Sequence, residues 1–114
     1  MPGLIERFLK GADSPAARYQ HCLLTARAVL AEAQGDLEGA TNLYADAGDR
    51  WKGFGVIHEH AQALLGLGRC AAQTAHPDAH DQLIDARQIF IQLGATPLLA
   101  ETDGWLHHIT ARTS

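Results

Sequence analysis

The amino-acid sequence predicts an all-α fold of antiparallel helical hairpins. The first observation is a pattern that occurs twice, about 39 residues apart, as a turn followed by a short amphipathic helix. The matched positions are Ala40, Tyr44 and Ala47 in one copy and Ala79, Leu83 and Ala86 in the other. Second, Ala and Leu dominate while Val, Ile and Thr are sparse, which favours helix over strand. Third, the connections are only a few residues long, so neighbouring helices should pack antiparallel.

The chain length suits one domain with a modest core, and we expect a single domain over residues 1–114. The predicted parts are a short N-terminal helix at 1–12, a first repeat at 14–48, a second repeat at 50–94 and a terminal helix at 96–112. This division yields about two and a half repeats, whereas arrays normally need at least three. Either the chain is a fragment of a longer protein, or self-association covers its open ends. Our hypothesis is a homodimer formed through an exposed helix face.

Residues with special backbone preferences predict where the first two full-length helices begin and end. Ser14 can cap the first of them, with Pro15 at its first position. Gly35 supplies a left-handed exit, and Asp36 caps the next helix. The pattern predicts that this second helix stops near residues 48–49.

The later helices are predicted in the same way. Two glycines within 51–55 weaken helix, so the third helix is placed at about 56–74. His76 and Pro77 open the fourth helix, and Gly94 ends it. Thr96 then caps the fifth helix, and Pro97 starts it.

Small and large side chains alternate in the predicted core. The small residues, which let helix backbones approach closely, are Ala28, Ala40, Ala47, Gly68, Ala79 and Ala86. The core stripe of the fourth helix is Ala79, Leu83, Ala86, Phe90 and Leu93, and the inward residues of the fifth are Leu98, Thr102, Trp105, Leu106 and Ile109. The first full-length helix has Leu23, Leu24, Val29 and Leu30 among its apolar residues, and the N-terminal segment has Leu4, Ile5, Phe8 and Leu9 on one face. One hairpin cannot bury both of its apolar faces, so stacking of hairpins must supply the missing cover.

These residues resemble the tetratricopeptide repeat family. The resemblance rests on Gly35, Ala40, Tyr44 and Ala47 in one unit and on Leu67, Gly68, Ala75, Ala79, Leu83 and Ala86 in the next. It covers roughly residues 16–109, with a spacing of about 39 residues where the family usually has 34. The resemblance implies a right-handed, tetratricopeptide-like superhelix.

Two sequence segments, residues 64–70 and residues 86–95, carry a narrower resemblance. They are similar to the C-terminal helical repeats of large bacterial signalling regulators, namely multidomain adenylate cyclases and ATPase-linked regulators of the LuxR type. In that group the repeats are sensor or scaffold segments, and catalysis lies in other domains. This sequence contains neither a GxxxxGK[ST] phosphate loop nor a GxSxG nucleophile motif, and we expect no enzymatic activity.

In tetratricopeptide arrays the first helix of each pair lines the concave surface. Carried over by resemblance, the concave residues are Thr25, Val29 and Glu32 in one unit, Gln62, Leu65, Arg69 and Gln73 in the next, and Glu101 and His108 in the terminal helix. Their mixture of polar and apolar groups suits a peptide or helix held by hydrogen bonds. Arg69 has two interpretations: it holds a partner's carboxylate, or it pairs with a nearby acid of its own chain.

The chain has seven histidines, and their spacing decides whether a metal site is expected. His58 and His60 lie about 200° apart on a helix and do not converge. His76 and His80 have the i,i+4 spacing that can chelate zinc or nickel, and Asp81 is near, but the sequence supplies no clear third ligand. We therefore predict neither a metal site nor a cofactor.

Other side chains have two interpretations each. The acids Asp78, Asp81 and Asp85 either form a solvated face near a helix N-terminus or meet a basic partner. Trp51 and Phe54 are expected to plug the gap between repeats, with an exposed aromatic anchor as the alternative.

Cys22 and Cys70 lack CxxC spacing and are expected to be two small buried side chains.

Composition limits the partners and the location. The net charge is −4 and the nine Lys and Arg residues are scattered, which argues against a nucleic-acid partner. The longest apolar run is short, and the N-terminus lacks a signal-peptide pattern, so we expect no membrane association and a cytoplasmic location. The expected function is protein–protein interaction or assembly of a regulatory type. The alternative is a small-ligand sensor with an effector site in the concave groove.

Overall fold

The computed structural model describes residues 15–113, and this part of the chain is all-α. It contains helices α1 (Pro15–Ala33), α2 (Leu37–Phe54), α3 (Ile57–Gln73), α4 (Ala79–Leu93) and α5 (Thr96–Thr113). The all-α prediction is therefore confirmed. The predicted N-terminal helix at 1–12 lies outside the described residues.

The helix ends share one backbone device. After α1, the Gly35 N–H donates to the Glu32 carbonyl and the Asp36 N–H donates to the Ala31 carbonyl, at 3.0 and 2.9 Å. This pair of bonds is a Schellman motif, and it needs a left-handed residue, which Gly35 supplies at φ 83°. Asp36 then caps α2 through a 3.0 Å bond from the Gly39 N–H to its carboxylate, as predicted.

The prediction that the second helix stops near residues 48–49 is wrong. α2 continues to Phe54 and ends at Gly55, which takes the left-handed conformation at φ 83°. Gly48 is a buried helical residue, and a Cβ atom there would lie 3.2 Å from the Cβ of Ala63. The glycine at this position therefore permits close approach of α3 and does not terminate α2.

The other predicted boundaries agree within a few residues. α3 spans Ile57–Gln73 against a predicted 56–74, and α5 begins at Thr96 as predicted. Gly94 ends α4 in the left-handed conformation. α4 begins at Ala79, slightly later than the predicted 76–77, because residues 77–78 form a turn ahead of it.

The helices form two layers. Each helix packs against the next one along the chain, and α3 additionally contacts α1 and α5. Within the described residues, α2 and α4 make no such contact with each other. The radius of gyration is 15.6 Å, above the roughly 13 Å of a compact 100-residue domain, so the array is elongated. Below, α1, α3 and α5 are called the inner helices, and α2 and α4 the outer helices.

Close helix packing depends on small residues, as the sequence predicts. The predicted small positions are buried: Ala28, Ala40, Ala47, Gly68, Ala79 and Ala86. Tyr44, Leu83 and Phe90 fill the gaps beside them and are almost fully buried. A Cβ at Gly66 would lie 2.6 Å from the Tyr44 ring, so the ring occupies the space that the glycine leaves.

The prediction that Leu93 belongs to the core stripe of the fourth helix is wrong. Leu93 is exposed because it is the last residue of α4, one turn beyond the buried Phe90. Among the apolar residues of α1, Leu23, Val29 and Leu30 are exposed, because the face of α1 that packs on α2 and α3 carries smaller residues and His21.

Trp51 and Phe54 pack inward and are not an exposed anchor, but their ring and hydrogen-bond contacts join α1 and α2 of one hairpin and not two repeats. Trp51 is buried, and its indole N–H donates to the Thr25 hydroxyl at 3.0 Å. Phe54 stacks on the His21 ring, with ring centroids 5.1 Å apart.

The two cysteines behave differently. Cys70 is buried as predicted, whereas Cys22 is exposed. Both are free thiols.

Among the described residues, no helix has both the length and the apolar character that a bilayer crossing requires.

Candidate binding surface on the inner helices

Arg69 of α3 connects all three inner helices. Its Nε donates to Glu32 Oε2 of α1 at 2.8 Å, and its Nη2 donates to Glu32 Oε1 at 2.9 Å. Its Nη1 donates to Glu101 Oε2 of α5 at 2.9 Å. One guanidinium therefore makes a bidentate pair with one neighbouring helix and a single ion pair with the other.

Tyr44 of α2 joins the same network from the outer layer. Its hydroxyl donates to Glu32 Oε1 at 2.6 Å and accepts from Arg69 Nη2 at 3.2 Å. Burial, followed by the hydrogen bond to Glu32, raises the pKa of Tyr44 above its ordinary value, so the phenol stays neutral.

The ionisation of the pair follows from competing causes. Burial by itself would raise the pKa of Glu32, but the hydrogen bonds from Arg69 and Tyr44 outweigh burial and lower it. Burial by itself would lower the pKa of Arg69, and its bonds to Glu32 raise it instead. Both groups are therefore charged at neutral pH.

The geometry decides between the two interpretations of Arg69. Each guanidinium nitrogen already donates to a carboxylate of the chain. One positive charge on Arg69 and two negative charges on Glu32 and Glu101 leave a net charge of −1. Arg69 is thus an internal pairing residue, and the surface around it does not favour a partner's carboxylate.

A small cavity of about 90 Å³ lies beside this network. It is lined by Thr25, Val29, Tyr44, Gln62, Ala63, Leu65, Arg69, Leu98 and Glu101. Leu65 was predicted to contact a partner, but it is almost fully buried and belongs to the core beneath the cavity. Gln62 is half-buried and accessible, and its amide lies 3.1 Å from the His58 ring.

A larger, open depression of about 410 Å³ adjoins the cavity, and Glu101 lines both. Its lining residues are Gln73 of α3 and Glu101, Gly104, Trp105 and His108 of α5. Six of the seven predicted site residues therefore lie on one continuous surface, and Leu65 lies buried beneath it. The six are Glu32, Gln62, Arg69, Gln73, Glu101 and His108.

Five residues that line this surface were not predicted to belong to it, namely Tyr44, Ala63, Leu98, Gly104 and Trp105. The Tyr44 hydroxyl was missed because only packing places it beside Glu32, twelve positions earlier. Gly104 and Trp105 were missed although the sequence contains a signal. Glu101, Gly104, Trp105 and His108 have the spacing i, i+3, i+4 and i+7, which places them on one helix face.

The histidine pair His76 and His80 lies elsewhere. Both line a separate depression of about 350 Å³ together with Arg112, whose guanidinium donates to the Ala72 carbonyl. Across residues 15–113, no three His, Cys, Asp or Glu side chains are grouped so that they could hold a metal ion. The predicted acids Asp78, Asp81 and Asp85 are exposed.

Comparison with known proteins adds no relative: no family model, no curated protein and no solved structure matches this chain.

Proposed function

We propose that this domain is a tetratricopeptide-like scaffold whose inner helices bind a peptide or helix of a protein partner. The observation that carries the proposal is the Arg69 network, which fixes α1, α3 and α5 side by side. Their shared face then offers a preformed groove with polar groups and exposed apolar side chains. A surface held rigid before binding loses less conformational entropy when the partner docks.

The arrangement of the helices supports the tetratricopeptide-like part of the proposal. Consecutive helices pair as hairpins, and the first helices of successive pairs contact each other while the second helices do not. The right-handed superhelix belongs to the proposal as an inference from the resemblance. A regulatory role has the same basis, and the proposal assigns no reaction to the chain.

Cavity size favours a protein partner over a small effector. Small-molecule sites usually enclose about 300–1,000 Å³. The cavity between the inner helices has only about 90 Å³, and the larger depression is open to solvent. An extended chain or helix can lie across both, because partner backbone needs a groove and not an enclosure.

The test is selection of peptides from a random displayed library, followed by two matched variants. Val29 lines the small cavity and is 51% exposed, whereas Ile91 on the outer helix α4 is 49% exposed. Because the two side chains are almost equally exposed, Val29→Arg and Ile91→Arg should both perturb folding little. Selected peptides should lose affinity for Val29→Arg and keep it for Ile91→Arg.

Two results would contradict the proposal. One is that selection yields no peptide that binds the folded wild-type chain. The other is that the selected peptides respond to Ile91→Arg and ignore Val29→Arg, which would place binding on the outer helices.

A second surface favours self-association as part of the assembly role. The outward face of α1 exposes Tyr19, Leu23 and Leu30, which are spaced so that they form one apolar stripe. We propose that a second copy of the chain covers this stripe.

Light scattering after size-exclusion chromatography should show a dimer of the wild type. The double variant Leu23→Glu with Leu30→Glu should be a monomer, while the control Ile91→Glu with Leu93→Glu on α4 should remain a dimer. A wild-type monomer at high concentration would remove the idea.

A further inference from the structure

The depression between α3 and α5 has a chemical character that its neighbouring network determines. Glu101 uses Oε2 to accept from Arg69, and its side chain is 46% exposed. The formal charges of Arg69, Glu32 and Glu101 sum to −1, because Arg69 is matched by Glu32 and the charge of Glu101 is left over. None of the residues that line the depression is Lys or Arg. A cationic group entering here therefore gains a carboxylate without displacing a cation.

Trp105 supplies the second element of recognition. Trp105 is half-buried and lines the depression together with Glu101, one helical turn earlier on α5. The His108 ring meets the indole edge-on, with centroids 5.6 Å apart. An indole face attracts a cation through its quadrupole and also packs against methylene groups.

Two further residues suit the same occupant. Gln73 donates its amide N–H to the Arg69 carbonyl at 3.3 Å. Its amide oxygen can therefore serve as a hydrogen-bond acceptor for a ligand. Gly104 also lines the depression, and a Cβ there would have no heavy atom within 4 Å, so the space beside it is open. This open space provides room for a long, unbranched side chain.

We infer that this depression is a subsite for a lysine or arginine side chain of the peptide partner. The methylene stem packs on Trp105, and the charged head bonds to Glu101 and Gln73. The inference rests on the proposed function only in taking the inner face as the binding surface. It specifies a basic residue in the partner, and an acidic residue is disfavoured by the net negative charge.

Small probes test the subsite without any knowledge of the partner. The probes are the N-acetyl amides of lysine, arginine, norleucine and glutamate, titrated while ¹H–¹⁵N spectra of the indole groups are recorded. Trp51 is an internal reference, because its buried indole N–H donates to Thr25. The lysine and arginine amides should shift the Trp105 signal saturably and leave Trp51 unmoved. The norleucine and glutamate amides should bind more weakly, by up to about fivefold, which is the upper size of one exposed charge interaction.

Matched variants separate the subsite from a general surface effect. Gly104→Leu should fill the depression and abolish the shifts, and it should not lower the unfolding temperature, since leucine favours helix over glycine. Glu101→Gln keeps an acceptor for Arg69 and should weaken the cationic probes about fivefold. Glu59→Gln changes an acid that does not line the depression and should have no effect.

The outcomes distinguish this inference from the proposed function. Equal binding of the norleucine and lysine amides, or no shift of Trp105, would overturn the cation subsite. Library peptides that bind the inner face but lack lysine and arginine would overturn it too, while leaving the proposed function standing. Saturable lysine binding with no selected peptide would support the subsite and count against the scaffold proposal.

Discussion

Arg69 and Glu32 form a bidentate ion pair between α3 and α1, two helices that are separated in the chain by α2. The N···O distances are 2.8 and 2.9 Å, and the side chains are 22% and 16% exposed. The pair joins two successive helical hairpins and not the two helices of one hairpin. It therefore fixes the angle between hairpins, which is the quantity that shapes the inner groove.

The Arg69–Glu32 pair should show strong energetic coupling. A double-mutant cycle with Arg69→Met and Glu32→Gln is expected to give a coupling energy of about 1–3 kcal/mol, measured by urea unfolding. Each single substitution leaves a shielded polar partner without its ion pair. Each should therefore lower the free energy of unfolding by more than the net stabilisation that the ion pair provides. The control is Arg50 with Asp46, a pair 46% and 49% exposed, for which we expect less than about 0.5 kcal/mol. Equal coupling in the two cycles would refute the structural role given to Arg69.

Stability should fall at alkaline pH through Tyr44. The folded-state pKa of Tyr44 is raised above the ordinary value of 10.0, chiefly by burial and then by Glu32. Because the pKa is raised on folding, the protonated Tyr44 contributes fully to the free energy of unfolding below pH 10. This contribution is lost as pH rises through the folded-state pKa. The free energy of unfolding of the wild type should thus decline above about pH 10. Tyr44→Phe should lose this decline, and a decline of equal size in that variant would assign it to other groups.

Ala75 offers a site for stabilisation. It has φ 55°, and the Ala75 and His76 N–H groups make the same two bonds to α3 that follow α1 and α2. A left-handed alanine costs about 1 kcal/mol relative to glycine. Ala75→Gly should therefore raise the free energy of unfolding by about 0.5–1 kcal/mol. The reverse change at the equivalent position, Gly55→Ala, meets no atom within 4 Å and should destabilise by a similar amount. If both variants have the same sign, backbone strain is not the cause.

Gly66 should not tolerate a methyl group. An added Cβ would lie 2.6 Å from the Tyr44 ring, which Glu32 and Arg69 hold in place. Overpacking of about 1–3 kcal/mol should exceed the gain of about 1 kcal/mol that alanine has in a helix. Gly66→Ala is thus expected to lower the unfolding temperature. Gly53 is a helical, exposed control with no atom near its missing Cβ, and Gly53→Ala should raise it.

Part of the fold was predictable because the relevant forces are local. Gly35 and Gly94 end helices in the left-handed conformation, and Asp36 caps α2, as their residue types predict. The alanines at the helix crossings are buried, because only small side chains permit backbones to approach. Gly48 shows the limit of local reasoning. As a residue type it predicts a stop, but contact with α3 makes it a position of close packing within a helix.

The candidate binding surface was likewise only partly predictable from the sequence. The resemblance to tetratricopeptide arrays predicts that Arg69, Gln73 and Glu101 lie on inner helix faces, and all three line the two adjoining depressions of the inner helices. The partner of Arg69 was not predictable, because Glu32 lies 37 positions away and the pairing depends on how two hairpins stack. Leu65 illustrates the converse, since its helix face was assigned to the groove but its side chain is covered by neighbouring helices.

The sequence by itself determined the helices, most of their ends and the small residues at their crossings, because these follow from backbone preferences and the helical period. Only the tertiary structure decided that Arg69 is neutralised by two carboxylates and that Trp105 borders a depression with surplus negative charge. The physical reason is range. Backbone preferences act within one or two turns, whereas the charge of a surface is a sum over side chains that packing alone brings within a few ångströms.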